Sequence, residues 1–216
     1  MLNPLSKEAR EVIWGSLFGD GGVYYGTGNR HCCFKVSHSP KQIEYLKWKY
    51  QYLKPVVASR IYSVTAWHKR NEKNYTTLHF TTGALSFFTR LRKIFYPEGK
   101  KLLRRKLLNK LTPLGLATWF MDDGTTGVNN RNYPQLFINV CSCSPEETSN
   151  MKDYFQEKFG IRVLVHGGKY PRLYFNKPNA VKLVEVIKPY IIPSMMYKLR
   201  YFYKPSLSEQ SVEDIV

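Results

Sequence analysis

Cysteine is scarce in this 216-residue chain and poorly spaced for structural duty. Cys32 and Cys33 are adjacent, and Cys141 and Cys143 stand one residue apart. A zinc knuckle needs two residues between its thiolates, and so few cysteines in so long a chain do not make a disulfide framework. They read as reduced strand residues. Acidic residues are also few: 16 Asp and Glu face 33 Lys and Arg, a formal charge of +17. No apolar run reaches the ~20 residues that cross a bilayer, and no secretory leader is visible. The expectation is a soluble intracellular protein with no membrane partner. A mitochondrial or chloroplast interior and a prokaryotic cytoplasm fit equally well.

Positive charge and aromatic rings are abundant, with Phe, Trp and Tyr at 15% of residues. A basic, aromatic-rich globular chain most often binds nucleic acid. A merely basic enzyme or a ribosome-associated protein is the plain alternative. The length suits one large domain or two small ones with a real core.

The most informative stretch is 111–124, LTPLGLATWFMDDG. Thr112-Pro113 is a helix start, with a hydroxyl to cap free N–H groups and a proline at N1. The helix that follows is almost wholly apolar, so it should be buried. Yet it ends in Asp122 and Asp123, and the C-terminus is the end where negative charge is least welcome. A weaker echo lies at 12–21, VIWGSLFGDG, ending in Asp20. Two buried helices that each deliver a carboxylate at the C-terminus call for a cation or a reaction.

Along the chain, Ser6 caps a helix over 7–20, with Gly15 and Gly19 one turn apart on one face. A hairpin spans 23–37 around residues 26–29, with Cys32, Phe34 and Val36 inward. Ser39-Pro40 opens a helix over 41–53. Strands 59–67 and 75–82 flank a basic loop, and a helix over 84–95 closes the unit. Residues 97–111 carry Lys100, Lys101, Arg104, Arg105, Lys106 and Lys110 against Glu98 alone. Such a run is either a solvated face or a track for a phosphate backbone. In the second unit, turn residues 127–132 lead to a strand over 135–141 with Leu136, Ile138 and Val140 inward. Ser144-Pro145 opens a helix to about 159. Strands 162–166 and 172–175 then flank Gly167-Gly168, and a helix over 179–187 follows. The tail from Ser206 is polar and acidic.

The pattern repeats. Asp20-Gly21 matches Asp123-Gly124, Ser39-Pro40 matches Ser144-Pro145, Leu78-His-Phe80 matches Leu173-Tyr-Phe175, and Pro97…Lys101-Leu102 matches Pro193…Lys198-Leu199. The predicted fold is α+β: duplicated α-β-β-α-β-β-α units with pseudo-two-fold symmetry. Each unit presents an antiparallel sheet with its helices on one side. The boundaries are 1–96 for the first half, 97–111 for a basic linker, 112–204 for the second half and 205–216 for the tail.

A pseudo-two-fold protein suits a ligand that is itself roughly two-fold, and duplex DNA is one. The open sheet faces offer donors able to read base edges: His31, Lys35, Arg60 and His79, then Gln135, Asn139, Arg162, Arg172 and Tyr174, with Lys100 on the linker. Alternating polar residues that merely solvate a sheet are the bland alternative. If the opening helices pack together, Asp20 and Asp123 meet, and Mg²⁺ suits such a pair because it keeps room for water and phosphate. Lys101 and Lys198, one per half, are candidates to neutralise charge developing on the phosphate.

These motifs resemble those of the single-chain LAGLIDADG homing endonucleases. The likeness rests on VIWGSLFGDG, LTPLGLATWFMDDG and the later IKPYIIPSMMYKL, and extends over about 6–204. It implies that the motif helices form the interface between halves and that two saddle-shaped sheets grip a long, partly asymmetric target in double-stranded DNA. It also implies that a monomer cuts one phosphodiester in each strand across the minor groove, leaving short 3′ overhangs. Asp20 and Asp123 would bind the divalent metal, where Mn²⁺ or Ca²⁺ can replace Mg²⁺. Lys101 and Lys198 fall where the family places its active-site lysines, with Lys100 a rival for the first. Neither motif spells the family name. Asp122 stands where the first motif has Gly19, and that carboxylate either joins the metal site or turns to solvent. Other readings are an RNA-binding maturase that helps an intron splice, or a DNA-binding regulator without catalysis.

Overall fold

The computed structural model describes residues 5–203 except 27, 29, 70 and 169. Part of the first hairpin turn, one residue of the basic loop and the acidic tail therefore lie outside the described residues.

Two helices organise the molecule. Helix α1, Lys7–Phe18, starts where the Ser6 hydroxyl accepts the Ala9 N–H at 3.0 Å. Its counterpart α5, Pro113–Asp123, starts the same way: Thr112 Oγ1 accepts the Gly115 N–H at 3.1 Å and Pro113 takes N1. Such a cap contributes about 1 kcal/mol. Every residue from Leu114 to Met121 is buried, as a helix with no polar face requires. The two helices touch backbone to backbone: a Cβ on Gly15 would fall 2.1 Å from the Gly115 carbonyl oxygen. Only glycine fits there, which gives the Gly15 of the N-terminal motif its physical reason. Below the crossing, Phe18 tilts against Trp119 with ring centroids 5.2 Å apart.

Each helix feeds a four-stranded antiparallel sheet. The first contains β1 (Gly22–Tyr25), β2 (Cys32–His38), β3 (Tyr62–His68) and β4 (Lys73–Thr81), in the order β1-β2-β4-β3. The second contains β5 (Gly124–Val128), β6 (Pro134–Asn139), β7 (Leu164–His166) and β8 (Arg172–Phe175), in the order β5-β6-β8-β7. The same topology twice is the duplication expressed in space. Inward residues are those the alternation picks out: Cys32, Phe34 and Val36 in β2, then Leu136 and Ile138 in β6, all fully buried. Helices α2 (Ile43–Leu53), α3 (Ser86–Phe95), α6 (Pro145–Phe159) and α7 (Lys177–Ile187) supply the rest of one continuous core.

Several boundaries differ from expectation. The first helix stops at Phe18, not Asp20, because Gly21 turns its N–H back to the Ser16 carbonyl at 2.7 Å. The expected turn from Gly127 starts later, because the segment after Asp123 is strand β5, whose Thr and Gly carry no apolar alternation to betray it. Pro40–Gln42 is a separate 3₁₀ turn ahead of α2. Strands β3 and β7 begin later, at Tyr62 and Leu164, so Arg60 and Arg162 precede them.

The linker is more than a charged track. It contains a short helix, α4 (Arg105–Leu108), and buries Leu103, Leu107, Leu108 and Leu111 in the core. The Trp14 indole donates to the Leu107 carbonyl, and Glu147 accepts the Leu103 N–H at 2.6 Å. The halves also differ in reach. The β3–β4 ladder runs seven residue pairs against three for β7–β8, and all of β3 is exposed on both faces. No helix among the described residues is long and apolar enough to cross a membrane.

Candidate active centre between the two halves

The C-termini of α1 and α5 meet beneath the sheets, and each presents its carboxylate there. Asp20 follows the Gly19 cap of α1, while Asp123 is the last residue of α5. The helix dipoles disfavour both, and the fold answers with a lysine at each end. Lys101 Nζ donates to the carbonyls of Gly19 and Gly21, both at 3.0 Å. Lys198, in the 3₁₀ stretch Pro193–Leu199, donates to the carbonyls of Met121 at 2.5 Å and Asp122 at 2.9 Å. The Gly19, Met121 and Asp122 carbonyls lie at helix ends, where no further helical N–H follows to pair them, and Gly21 lies in the turn after α1. An ammonium has three N–H donors, so each lysine keeps one for a further acceptor. Lys100, by contrast, is exposed.

The carboxylates are costly in the metal-free state. Loss of hydration, and then the Asp122 charge, push Asp20 up to about 6, against the pull of Lys49, Lys198 and Lys101. Asp20 stays 45% exposed at the side chain. Asp123 is pushed up to about 7 by burial and then by the charges of Asp20 and Asp122. Burial pulls Lys101 and Lys198 below the usual lysine range, against the three aspartates. Desolvated oxygen donors that repel one another are what a hard divalent cation relieves.

Asp122 takes a third course that the sequence reading did not foresee. Its side chain is fully buried, facing away from solvent. Its Oδ1 accepts from Lys49 Nζ at 2.6 Å and from the Tyr45 hydroxyl at 2.8 Å, both on α2. Its Oδ2 accepts the Asp20 backbone N–H at 3.1 Å. His38 closes the group, with Nδ1 3.5 Å from Asp20 Oδ2 and Nε2 3.8 Å from Asp122 Oδ1. Burial, and then the Lys49 charge, pull His38 down to about 3, so the imidazole is neutral. Asp20, His38 and Asp122 present donor atoms within 4.8 Å of one another, a set able to hold a metal ion. The Lys49 ammonium is paired with the Asp122 carboxylate at 2.6 Å.

The remaining residues singled out from sequence divide by surroundings. Lys35 lies on the open face of β2, half-buried between the edge strand and β4. Asn139, exposed at the end of β6, donates to the Asp123 carbonyl at 3.1 Å and so borders the centre itself. Gln135 donates to the Tyr174 hydroxyl at 3.0 Å, and the Arg172 guanidinium lies over the Phe137 ring. His31 sits beside Thr89 of α3, with Nδ1 3.4 Å from its hydroxyl. His79 is nearly buried, 2.6 Å from the Thr77 hydroxyl and stacked on Tyr62. Arg60 is exposed before β3, and Arg162 lines a small groove with Tyr174 and Asn179.

Sequence reasoning missed Lys49, Tyr45 and His38. A signal existed: Tyr45, Leu46, Lys49 and Leu53 form the buried face of α2, so a lysine occupies an apolar helical position. The exposed aromatics Tyr24, Tyr25, Trp67, Tyr75, Tyr133 and Tyr170 also escaped notice, although stacking surfaces suit a nucleic-acid ligand.

Known proteins resemble this chain in sequence and in fold. Residues 10–183 match the model of the LAGLIDADG DNA endonuclease family. A protein named RecA from Mycolicibacterium flavescens is 32% identical over 97% of this chain, but the match spans 51% of that relative. The chain thus spans about half the length of the RecA relatives it matches. The cytochrome b mRNA maturase bI2 of Debaryomyces hansenii is 29% identical over 91% of this chain and 75% of its own. In fold, the chain superposes on the homing endonuclease I-WcaI, solved with its DNA recognition sequence, at a TM-score of 0.82. That alignment covers 91% of this chain and 88% of the other at 23% identity. The chain belongs to the LAGLIDADG DNA endonuclease family.

Proposed function

We propose that this protein is a site-specific, Mg²⁺-dependent double-strand DNA endonuclease that works as a monomer and leaves short 3′ overhangs. The observation that carries the reading is the placement of Asp20 and Asp123 at the ends of the packed helices α1 and α5, with Lys101 bound to the carbonyls of one end and Lys198 to those of the other. A protein that only binds has no use for such a pair.

The two sheets grip the duplex. Lys35 and Arg60 on one side and Gln135, Arg162, Arg172 and Tyr174 on the other meet base edges and phosphates, with His31 and Lys100 at the margins, while the nearly buried His79 supports the first sheet from behind Tyr62. Asp20 and Asp123 hold the divalent metal, with Mn²⁺ or Ca²⁺ able to take the same positions. The bound metal supplies Lewis-acid activation of water and of the scissile phosphate. Lys101 and Lys198 each turn a spare N–H toward the phosphate and stabilise charge as it develops.

The test is Asp20→Asn, assayed on a randomised duplex library with Mg²⁺ and end sequencing. Double-strand cleavage should disappear while binding, followed by gel shift, stays within a few-fold. A variant that still cuts both strands at full rate overturns the mechanism. Binding should also weaken steeply with salt, given the +17 charge, and a flat response removes nucleic acid from the reading. The maturase likeness gives a second reading, intron RNA as ligand. It is favoured if binding is confined to folded intron RNA and no EDTA-sensitive nuclease product forms.

A further inference from the structure

His38 has no part in the pair Asp20 and Asp123, yet it is wedged beside it. It ends β2 on the strand face that carries Cys32, Phe34 and Val36 into the core, and its side chain is 1% exposed. The ring tilts on Tyr45 with centroids 4.8 Å apart. One ring nitrogen faces each of two carboxylates. Nδ1 lies 3.5 Å from Asp20 Oδ2, and Nε2 lies 3.8 Å from Asp122 Oδ1. Nε2 is buried with no hydrogen-bond partner. Asp20 keeps 45% of its side chain exposed, so the group opens to solvent on that side.

The surroundings of Asp122 decide which nitrogen carries the proton. A carboxylate offers about four lone-pair sites. At Asp122, Lys49, the Tyr45 hydroxyl and the Asp20 N–H take three of them. The place left suits the Nε2–H, which lies just beyond hydrogen-bond reach and needs only a small turn of the ring. A neutral imidazole protonated at Nε2 carries its lone pair on Nδ1. That lone pair faces the Asp20 carboxylate, acceptor against acceptor, and a cation between them resolves the conflict. Two donors on a tetrahedral ion with bonds of ~2.0 Å stand about 3.3 Å apart, close to the spacing observed. A metal-ligating histidine also usually donates its other N–H to a carboxylate, the part Asp122 can play.

We propose that Asp20 and His38 form a binding site for Zn²⁺, with Asp122 holding the imidazole from behind, and that an ion bound there withholds Asp20 from the Mg²⁺ pair and inhibits cleavage. The imidazole nitrogen sets the class of ion, since it suits Zn²⁺ whereas Mg²⁺ prefers oxygen donors alone. Positions left on the ion open to water past the exposed side of Asp20. The site needs Asp20 but not Asp123, which separates it from the catalytic pair. Binding does not depend on what the protein cleaves, whereas the inhibition rests on the endonuclease reading.

The test uses the full chain, with Co²⁺ as the visible stand-in for Zn²⁺. Co²⁺ added to metal-free protein should give the absorption bands of a tetrahedral site, displaced by Zn²⁺ and not by a large excess of Mg²⁺. Asp123→Asn should keep the bands. His38→Phe, which retains a ring against Tyr45, should abolish them. NMR of protein labelled with ¹⁵N-histidine needs no substitution and so stands even if H38F does not fold: Zn²⁺ should shift His38 Nδ1 while Nε2 stays protonated. In Mg²⁺, Zn²⁺ should inhibit cleavage of a duplex recovered from the randomised library, and H38F should need at least about tenfold more Zn²⁺ for the same inhibition. Absent bands, bands lost in D123N or kept in H38F, or an unmoved Nδ1 resonance overturn the site. Zn²⁺ binding that leaves the cleavage rate unchanged overturns the inhibition. Failure of the wild type to cut any duplex in Mg²⁺ overturns the endonuclease reading and the inhibition with it, while the Co²⁺ bands still decide the site.

Discussion

A Cβ on Gly19 would sit 2.4 Å from the Cβ of Asp122. The matched positions of the two motifs face one another across the interface, and there is room for one side chain, not two. Symmetry at this level is therefore sterically forbidden to anything larger than glycine. Gly19→Ala should displace Asp122 from Lys49 and Tyr45 and destabilise the protein by about 1–3 kcal/mol, the usual penalty of overpacking. Urea denaturation measures it. A variant as stable as the wild type would mean that the helices move apart at little cost.

The Lys49–Asp122 pair, wholly buried, predicts strong coupling between two substitutions. Lys49→Met alone leaves a carboxylate unpaired in the core and should cost about 3–5 kcal/mol. K49M/D122L removes both charges, and its loss should be well below the sum of the single variants. A thermodynamic cycle from urea unfolding checks this, and additive losses would show that the charges do not act as a pair.

The metal-free protein should lose stability as pH rises from about 4 to about 7. An ordinary carboxylate releases its proton near pH 4, and the unfolded chain does so there. Folded Asp20 and Asp123 hold theirs to about 6 and about 7. Across that window the folded state binds more protons, so each rise in pH favours unfolding, and the loss is complete above both folded values. Thermal unfolding in EDTA should thus give a lower Tm at pH 8 than at pH 5. Adding Ca²⁺ should raise Tm more at pH 8, and Asp123→Asn should raise the Tm measured in EDTA at pH 8. A Tm in EDTA that climbs between pH 5 and pH 8 would contradict the assignment.

What could be read from the sequence follows from which interactions are local. Thr112-Pro113 and Ser144-Pro145 announce helix starts because a cap and its target lie three residues apart, and both caps form. The alternation through Phe34 and Ile138 shows because a strand's period is two. Asp20 and Asp123 stood out because carboxylates at the ends of apolar helices break a rule. Strand β5 was hidden because Gly124-Thr-Thr-Gly-Val128 pairs with β6 through its backbone. Lys49 and Tyr45 were hidden for another reason: their partner is more than seventy residues away, on the far side of an interface. The linker's charge likewise drew attention from its leucines, although those leucines are what anchor it.

That anchoring gives the last prediction. Glu147 lies in the acidic first turn of α6 and closes a capping box with Ser144. Its Oε2 accepts the Ser144 N–H at 2.8 Å, while its Oε1 accepts the Leu103 N–H at 2.6 Å. One carboxylate thus ties the start of α6 to the linker two residues after Lys101. A glutamine offers one carbonyl oxygen for these two donors, and its NH₂ would face an N–H it cannot accept from. Glu147→Gln should therefore leave one buried N–H unpaired and cost about 1–3 kcal/mol. It should also slow cleavage, because Lys101 reaches the Gly19 and Gly21 carbonyls only while the linker holds its course. Glu146→Gln, an exposed neighbour on the same turn, is the control and should change neither stability nor rate. If Glu147→Gln loses stability but cuts at the wild-type rate under conditions where it stays folded, the linker fixes the fold without positioning Lys101.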